Sequence, residues 1–559
     1  MPGTGFLDHD KNQAFYLILV SWRGRGESHL RCMKIRRLVG ILFTFLTGTF
    51  PAFSQTIDPD LQQLARNVTS PVVREFYRRN NYVPAWGDEE NINQLKLAIL
   101  SIGADGLDPR NYNLKAVERV SREAHTLTSD LELTDAFVRL AHDLYEGQVS
   151  PESLFPGDWD ACTQPADYAG LLLHALSEKS VCETLDFLRP TDNSYEGLKY
   201  MLSRFQKIKS CGGLPELQVG RDIKPGDMDE RMASIITRLF MLGIIPESLA
   251  NEGIRYDSIL IYPVQKFQRL NNLSQDGIIG RRTQEALNLT ADDYIGRIIV
   301  NLERYRWLQS RMLARHIQIN IASAELTLAN DAGSNELRMK VIIGRPDRRT
   351  PALSSVVTML TINPSWTVPP TILKEDVLPA IIADRGYLGR HKMRVFSNKG
   401  TEVNADSVPW STFTTKRFPY TLREDPGTHN PLGLIKFSFP NDHSVYLHDT
   451  NMPSLFSNPD RALSSGCIRI ESPMALVKIL LQGSGWTEEM VRDQIMKRET
   501  RFILLRSNVP IHVTYFTAYV ENDELYLARD IYQYDNVVLN ALTRRCNETS
   551  KNIPGQDSK

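Results

Sequence analysis

The 559-residue sequence has no excess of charge of either sign. It contains 65 Lys and Arg residues against 66 Asp and Glu residues, which gives a formal net charge of −1. A chain this balanced has no global electrostatic attraction for nucleic acid, and we expect no nucleic-acid partner. Hydrophobic residues make up 42% of the chain and charged residues 23%. These fractions exclude a disordered or collagen-like protein and indicate several globular domains.

The sequence also lacks the motifs of the common metal and phosphate sites. It contains no H-E-x-x-H pair of histidines, no C-x-x-C pair and no glycine-rich loop that could cradle a phosphate. We therefore expect no metal ion and no organic cofactor.

Long apolar runs are scarce, and the longest lies near the N-terminus. Residues 33–37 are basic, residues 38–50 are apolar, and the small residues Ala52 and Ser54 precede Gln55. This order is typical of a secretory signal peptide. We predict that residues 1–54 comprise an upstream extension and a signal peptide, with the start at Met33, and that the mature protein is exported. The alternative is an uncleaved membrane anchor. No later stretch approaches the roughly 20 apolar residues that a membrane span requires.

Cysteine is rare as well. The chain has six cysteines, and an odd number remains after residue 54, so one thiol stays unpaired or pairs between molecules. Cys467 is the candidate for a reactive thiol, and Cys162 and Cys182 are close enough in sequence to form a disulfide. The remaining cysteines of the mature chain are Cys211 and Cys546.

The spacing of apolar residues predicts an α+β multidomain protein. Helical periodicity in residues 55–215 indicates a helical scaffold, and short alternating strands in residues 314–535 indicate a β-rich, sandwich-like domain. The segment 370–420 interrupts the strands, is helical from Lys374 to Ala383 and then loop-like, and is expected to cap the site described below. The other predicted units are a helical module at 216–290, a helical linker at 291–313 and a C-terminal tail at 536–559.

The helical module has a recognisable frame. Val264, Phe267 and Gln268 precede a tight Asp276-Gly277-x-x-Gly turn, which needs positive φ at glycine, and a further helix begins near Thr283. This frame resembles the three-helix peptidoglycan-binding domain of cell-wall enzymes. The alternative is a generic helical hairpin with a glycine turn.

One stretch combines a histidine with a cysteine. A cysteine nucleophile needs a nearby base, and the base needs an acceptor that orients its ring. Gly466 would let the main chain approach a substrate carbonyl closely. The residues of this constellation are Tyr446, His448 and Asp449, followed by Ser464, Ser465, Gly466, Cys467, Ile468 and Arg469, with fifteen residues between His448 and Ser464.

This H-x15-S-S-G-C-I-R pattern resembles the signature of the L,D-transpeptidase (YkuD-type) catalytic domain. The sequence before this motif also resembles that of the family, in the segment from Asn430 to Gly433 and in the following Lys436 and Phe437. Ser465 is a departure, because most members have histidine there. The large YcbB-like members, which carry a scaffold, a peptidoglycan-binding module and a capping insertion, share the S-S-G-C sequence.

The resemblance implies a periplasmic enzyme that acts on the peptidoglycan stem peptides and glycan strands of the cell wall, with other wall-synthesis enzymes as further partners. Cys467 would form a thioester with a donor stem, and a neighbouring stem would resolve it to make a 3→3 cross-link. Two alternatives remain open: a hydrolase that resolves the same thioester with water, and an inactive wall-binding scaffold. Carbapenems would acylate the cysteine.

The resemblance also assigns roles to individual residues. His448 would be the base, kept close enough to lower the pKa of the Cys467 thiol, with the Asp449 carbonyl orienting its ring. Tyr446 and the N–H groups near Ser465 and Gly466 would bind the oxyanion. The expected substrate-binding residues are Arg469, Trp366 and Ser464.

Overall fold

The computed structural model describes residues 58–120, 125–160, 165–250, 253–308, 315–331, 334–413 and 418–551, with the side chains of 546–551 left out. The predicted signal peptide and Cys162 lie outside these residues. None of the described helices is both long enough and apolar enough to cross a membrane.

The first part of the described chain is helical, as predicted. Its helices begin where the sequence supplies caps: the side chains of Asp58 and Ser70 accept hydrogen bonds from the first turns, and Pro59 and Pro71 occupy the first helical positions. The helices are α1 Pro59–Asn67, α2 Pro71–Arg79, α3 Glu89–Ser101, α4 Leu114–Val120, α5 Leu127–Tyr145, α6 Pro151–Leu154, α7 Tyr168–Ser177, α8 Val181–Phe187 and α9 Asn193–Ser210.

The chain divides into two compact units. The first comprises the described residues of Met1–Gly103, Asp108–Leu144 and Gln164–Arg189, and the second holds the rest. Trp86 is fully buried in the first unit, where its indole N–H donates to Thr134 Oγ1 at 2.9 Å. Helix α9 belongs to the second unit, although it lies within the predicted scaffold of residues 55–215. Cys182 is a free thiol, so the expected pairing with Cys162 is wrong.

Residues 216–290 contain three α-helices, α10 Arg231–Met241, α11 Ile261–Leu270 and α12 Arg281–Leu287, around their own apolar core. Gln268 fixes the turn between the last two. Its amide donates to Asp276 Oδ1 at 2.8 Å, and its carbonyl oxygen accepts from the Gly277 N–H at 2.9 Å. Gly277 has φ +71°, as the turn requires, whereas Gly280 is extended.

The predicted linker is one long helix, α13 Ala291–Trp307. A capping box of Thr290 and Asp293 starts it, and its second half is almost entirely buried. Arg304, on this helix, forms an ion pair of 2.6 Å with Asp535. The segment is therefore a structural element of the second unit rather than a simple connection.

The strands follow, with the insertion between them. They are β1 His316–Asn320, β2 Glu325–Ala329, β3 Asn335–Gly344, β4 Leu353–Ile362, β5 Trp366–Thr367, β6 Met393–Ser397, β7 Glu402–Val403, β8 Tyr420–Glu424, β9 Ile435–Ser438, β10 Leu447–His448, β11 Ala462–Ser464, β12 Ile468–Ile470, β13 Arg501–Thr514, β14 Ala518–Glu521 and β15 Glu524–Leu527.

The main sheet closes on itself. Its order is β11-β3-β12-β10-β9-β4-β13-β1-β2, and the first half of β3 also pairs with β2. Alternate residues of each strand fill the enclosed core, among them Ile319, Phe437 and Leu447, while their neighbours in sequence face outward. Strand β13 pairs with β4 along most of its length, with an irregularity between residues 504 and 509.

The insertion has its own small sheet, of order β5-β8-β6-β7. The helices at its start are α14 Pro370–Ile372, α15 Leu378–Ala383 and α16 Tyr387–Arg390, with a π-helical turn at Leu373–Val377. The prediction of a loop after residue 383 is therefore wrong for the described part, because strands β6 to β8 occupy it. These strands were missed because each is short and only partly apolar.

Three helices complete the second unit: α17 Pro473–Leu480, α18 Glu488–Lys497 and α19 Asp535–Lys551. The predicted tail from residue 536 is therefore helical as far as 551. Val538 and Leu542 of α19 are buried in the same apolar cluster as the main sheet.

Candidate active site

Strand pairing brings three polar side chains into one row. His448 on β10 lies opposite Lys436 on β9 and opposite Arg469 on β12. Residues at paired positions of neighbouring strands project from the same face of a sheet. Because Leu447 and Phe437 point into the enclosed core, the row of Lys436, His448 and Arg469 lies on the outer face.

The loop that carries Cys467 is held rigidly by hydroxyl groups. Ser464 Oγ donates to the Cys467 carbonyl at 2.6 Å and accepts from the Gly466 N–H at 3.1 Å. Thr350 Oγ1 donates to the Gly466 carbonyl at 2.8 Å. Gly466 has φ +111°, a conformation that favours glycine. Ser464 is buried and its hydroxyl is engaged in this turn, where it positions Cys467, and its role in substrate binding stays a prediction.

The Cys467 thiol donates a hydrogen bond to the Ser444 carbonyl at 3.9 Å, and Tyr446 also interacts with the sulfur. The hydroxyl and the main chain of Tyr446 hydrogen-bond to the sulfur and act to lower the pKa of the thiol, but burial outweighs them and leaves this pKa above its ordinary value. Among the described contacts there is no hydrogen bond between His448 and Cys467. The expectation of a thiol pKa lowered by His448 is therefore wrong for this state, in which the thiol is protonated.

His448 is buried and oriented as the sequence indicated. Its Nδ1 donates to the Asp449 carbonyl at 2.6 Å, which leaves Nε2 as a free acceptor. Burial lowers the pKa of His448 to about 3, and the positive charges of Arg469 and Lys436 act in the same direction. The imidazole is therefore neutral at neutral pH and available as a base.

The main-chain carbonyl of Asp449 orients the His448 ring, while the Asp449 carboxyl group hydrogen-bonds to a neighbouring loop. Asp449 Oδ2 accepts from the Leu434 N–H at 2.8 Å, and burial raises the pKa of this carboxyl group. Gly433, with φ +62°, passes so close that a Cβ there would lie 2.5 Å from the carboxyl carbon. Any larger residue at 433 would push Asp449 and, through it, the His448 ring.

Arg348, which sequence reasoning missed, joins the Cys467 loop to the insertion. Its guanidinium donates to Ser465 Oγ at 3.1 Å, to Glu375 at 2.7 Å and to Asp376. The side chain of Arg348 is only 7% exposed. Ser465, at the position where histidine was expected, is thus an acceptor for a cation that also holds the insertion.

The insertion also contacts the site through apolar side chains. Trp366 is buried in the insertion's own apolar cluster with Val377 and Leu422, and its role in substrate binding stays a prediction. Tyr446 packs against the same cluster. The ring of Tyr446 also lies 3.8 Å from Lys436 Nζ and 5.6 Å from the His448 ring centre.

Comparison with known proteins adds an identification to this geometry. The model of the L,D-transpeptidase catalytic domain family matches residues 314–490. This part of the chain is an L,D-transpeptidase catalytic domain. Cys467, His448, Tyr446 and Arg348 all lie within it, as does the insertion.

Two further similarities were found. Residues 71–202 match the scaffold domain family. A Haemophilus influenzae protein named "Putative L,D-transpeptidase" is 35% identical over 242 residues, which cover 43% of this chain and 48% of that protein. The chain thus matches about half the length of this curated relative.

Proposed function

We propose that the protein is a peptidoglycan L,D-transpeptidase that forms 3→3 cross-links through a thioester on Cys467. The observation that carries the proposal is the pairing of a half-buried thiol, hydrogen-bonded by Tyr446, with a neutral His448. The Asp449 carbonyl accepts from His448 Nδ1, which fixes the ring and leaves Nε2 free. Both groups stand in the L,D-transpeptidase catalytic domain. The periplasm is the proposed location, because the substrate is the cell wall and the N-terminal sequence resembles a signal peptide.

In acylation, Cys467 Sγ attacks the carbonyl carbon of the L-centre of meso-diaminopimelate in a donor tetrapeptide. A C–S bond forms and the C–N bond to D-alanine breaks. The thiol proton passes to His448 Nε2 and then to the amine nitrogen of the departing D-alanine. The Tyr446 hydroxyl and the N–H groups near Gly466 stabilise the negative charge that develops on the carbonyl oxygen.

In the second half of the reaction, the side-chain amine of a neighbouring stem attacks the thioester carbon. A C–N bond forms, the C–S bond breaks, and the proton lost by the amine returns through His448 to the Cys467 sulfur. The protein is regenerated and the product carries a 3→3 link. With purified tetrapeptide muropeptides, we expect one D-alanine released per cross-linked dimer, whereas a hydrolase would give tripeptide without dimer.

The pH dependence of acylation tests the state of His448. Because kcat/KM reports the free enzyme, and burial keeps the pKa of His448 near 3, loss of activity on the acid side should occur below about pH 5. An exposed histidine would give this loss near its ordinary pKa of about 6.5. A half-maximal kcat/KM close to pH 6.5, with the fold intact by circular dichroism, would contradict the neutral His448 described above.

We also propose that the insertion excludes water from the thioester. The double substitution Glu375→Gln and Asp376→Asn removes the ion pairs that hold the insertion to Arg348. The ratio of hydrolysed tripeptide to cross-linked dimer should then rise at least about threefold, with Cys467 still acylated by a carbapenem. Glu402→Gln is the matched control, since Glu402 pairs with Arg394 within the insertion. An unchanged ratio of tripeptide to dimer in the double variant would refute the proposal that the insertion excludes water.

The module at 216–290 is proposed to bind wall glycan without taking part in the chemistry. Tyr262, on α11, is 73% exposed, and an exposed aromatic ring is a natural surface for a sugar. Tyr262→Ala should weaken retention on isolated sacculi and leave carbapenem acylation unchanged. Tyr200→Ala is the control, because Tyr200 is 67% exposed on α9, outside the module. Equal losses in both variants would argue against a binding role for the module.

A further inference from the structure

Two cations of the active-site row have no counterion. Lys436 and Arg469 flank His448 on the neighbouring strands, and burial lowers the pKa of both groups. Within the described residues, no carboxylate forms an ion pair with either group. Arg469 Nε is buried and has no hydrogen-bond partner there.

The fully buried arginines described in the same unit all have hydrogen-bond partners, and Arg238 donates to the main-chain carbonyls of Pro215, Leu287 and Leu289. Arg304 contacts Asp535 at 2.6 Å, and Arg306 contacts Glu303 at 2.7 Å. A buried charge without a partner is costly, so such a group is retained where a ligand supplies the opposite charge. The row beside Cys467, in which Arg469 Nε has no hydrogen-bond partner among the described residues, therefore favours an anion.

The chemistry of the proposed reaction identifies this anion. His448 must give its proton to the amine nitrogen of D-alanine, and the carbon bonded to that nitrogen carries a carboxylate. The acceptor amine belongs to the D-centre of meso-diaminopimelate, whose carbon also carries a carboxylate, in the same configuration as in D-alanine. One anion site beside His448 can therefore hold both the leaving and the entering group.

We propose that Lys436 and Arg469 together bind the α-carboxylate of the D-amino acid whose nitrogen faces His448, first in the leaving D-alanine and then in the acceptor. Arg469 was expected to bind a substrate carboxylate, and the structure adds Lys436 and the position relative to His448. This inference rests on the proposed function. The bound carboxylate also offsets the two positive charges beside His448, so proton uptake by the imidazole becomes easier when substrate is present.

The test compares a donor tetrapeptide that ends in D-alanine with the same peptide ending in D-alaninamide. Wild-type protein should prefer the acid in kcat/KM. Lys436→Met should lower kcat/KM for the acid ~10–100-fold more than for the amide, the effect of losing one charged hydrogen bond, and so remove most of the preference for the acid. Lys436→Arg should recover most of the loss. Lys478→Met, on the exposed side of α17, is the control and should behave as wild type.

A binding measurement separates this inference from the proposed function. In Cys467→Ala protein, calorimetry with the acid should give about tenfold weaker binding when Lys436→Met is added, whether or not the wild type turns over. Acid-selective binding through Lys436 without any release of D-alanine would keep the anion site and refute transpeptidation. Turnover in which Lys436→Met slows acid and amide equally, or in which wild type shows no preference, would overturn the anion site.

Discussion

Replacing Cys467 by alanine is expected to abolish both acylation by a carbapenem and the release of D-alanine from donor peptides. The sulfur is the proposed nucleophile, and no other described cysteine lies in the catalytic domain. The Cys467 loop is held by Ser464 and Thr350 rather than by the sulfur, so the fold should survive with a change in unfolding free energy of about 1 kcal/mol or less. Intact-protein mass spectrometry after carbapenem treatment measures the adduct.

Cys211→Ala is the matched control, because Cys211 is an exposed free thiol at the end of α9. This variant should be acylated once, at the wild-type rate. A single carbapenem adduct on Cys467→Ala protein, or 3→3 dimers formed by it, would show that the nucleophile has been wrongly identified.

The substitution His448→Asn should slow acylation by about 10²–10⁴-fold, the usual contribution of a general base. The asparagine amide can occupy the place of Nδ1 and still donate to the Asp449 carbonyl, whereas no group replaces Nε2. The loss should appear in kcat as well as in kcat/KM, because proton transfer occurs in the transition state. Stopped-flow measurement of carbapenem acylation gives the rate directly.

The control for this variant is His512→Asn. His512 lies on β13 of the same sheet, is equally buried, and contacts Ser354 Oγ at 2.8 Å. It is far along the sheet from β10, so its replacement tests whether loss of any buried histidine in this domain lowers the rate. If both variants slow acylation alike, or if His448→Asn remains within about threefold of wild type, His448 is not the base.

The sequence was enough to propose a nucleophile and its base, but not to predict the pKa of the thiol. Cys467 and His448 stand in a spaced motif, and the Asp449 carbonyl is adjacent in the chain, so local sequence was enough. The pKa depends on how much water reaches the sulfur and on which hydroxyl meets it, and both depend on packing between β10, β12 and the insertion. The contact of Tyr446 with the sulfur could be suspected from its alternation with His448, but the larger effect of burial on the thiol pKa could not.

Lys436 and Arg348 show more clearly which site residues the sequence alone cannot identify. Lys436 lies twelve residues before His448 in the sequence, and only the pairing register of β9 and β10 puts the two opposite each other. Register is decided by the packing of the whole sheet rather than by local pattern. Arg348 lies in a loop rich in charged residues, where nothing in the sequence distinguishes it from Arg345 or Arg349. Its contacts join segments that are far apart in the chain.

Rapid-quench mass spectrometry with a donor tetrapeptide tests the central claim most directly. After mixing and acid quench, intact protein should gain the mass of the donor minus D-alanine, and peptide mapping should place this mass on the fragment that contains Cys467. Adding an acceptor stem should remove the adduct as the 3→3 dimer forms. Dimers that accumulate with no adduct at any quench time, or an adduct on another residue, would contradict a thioester route through Cys467.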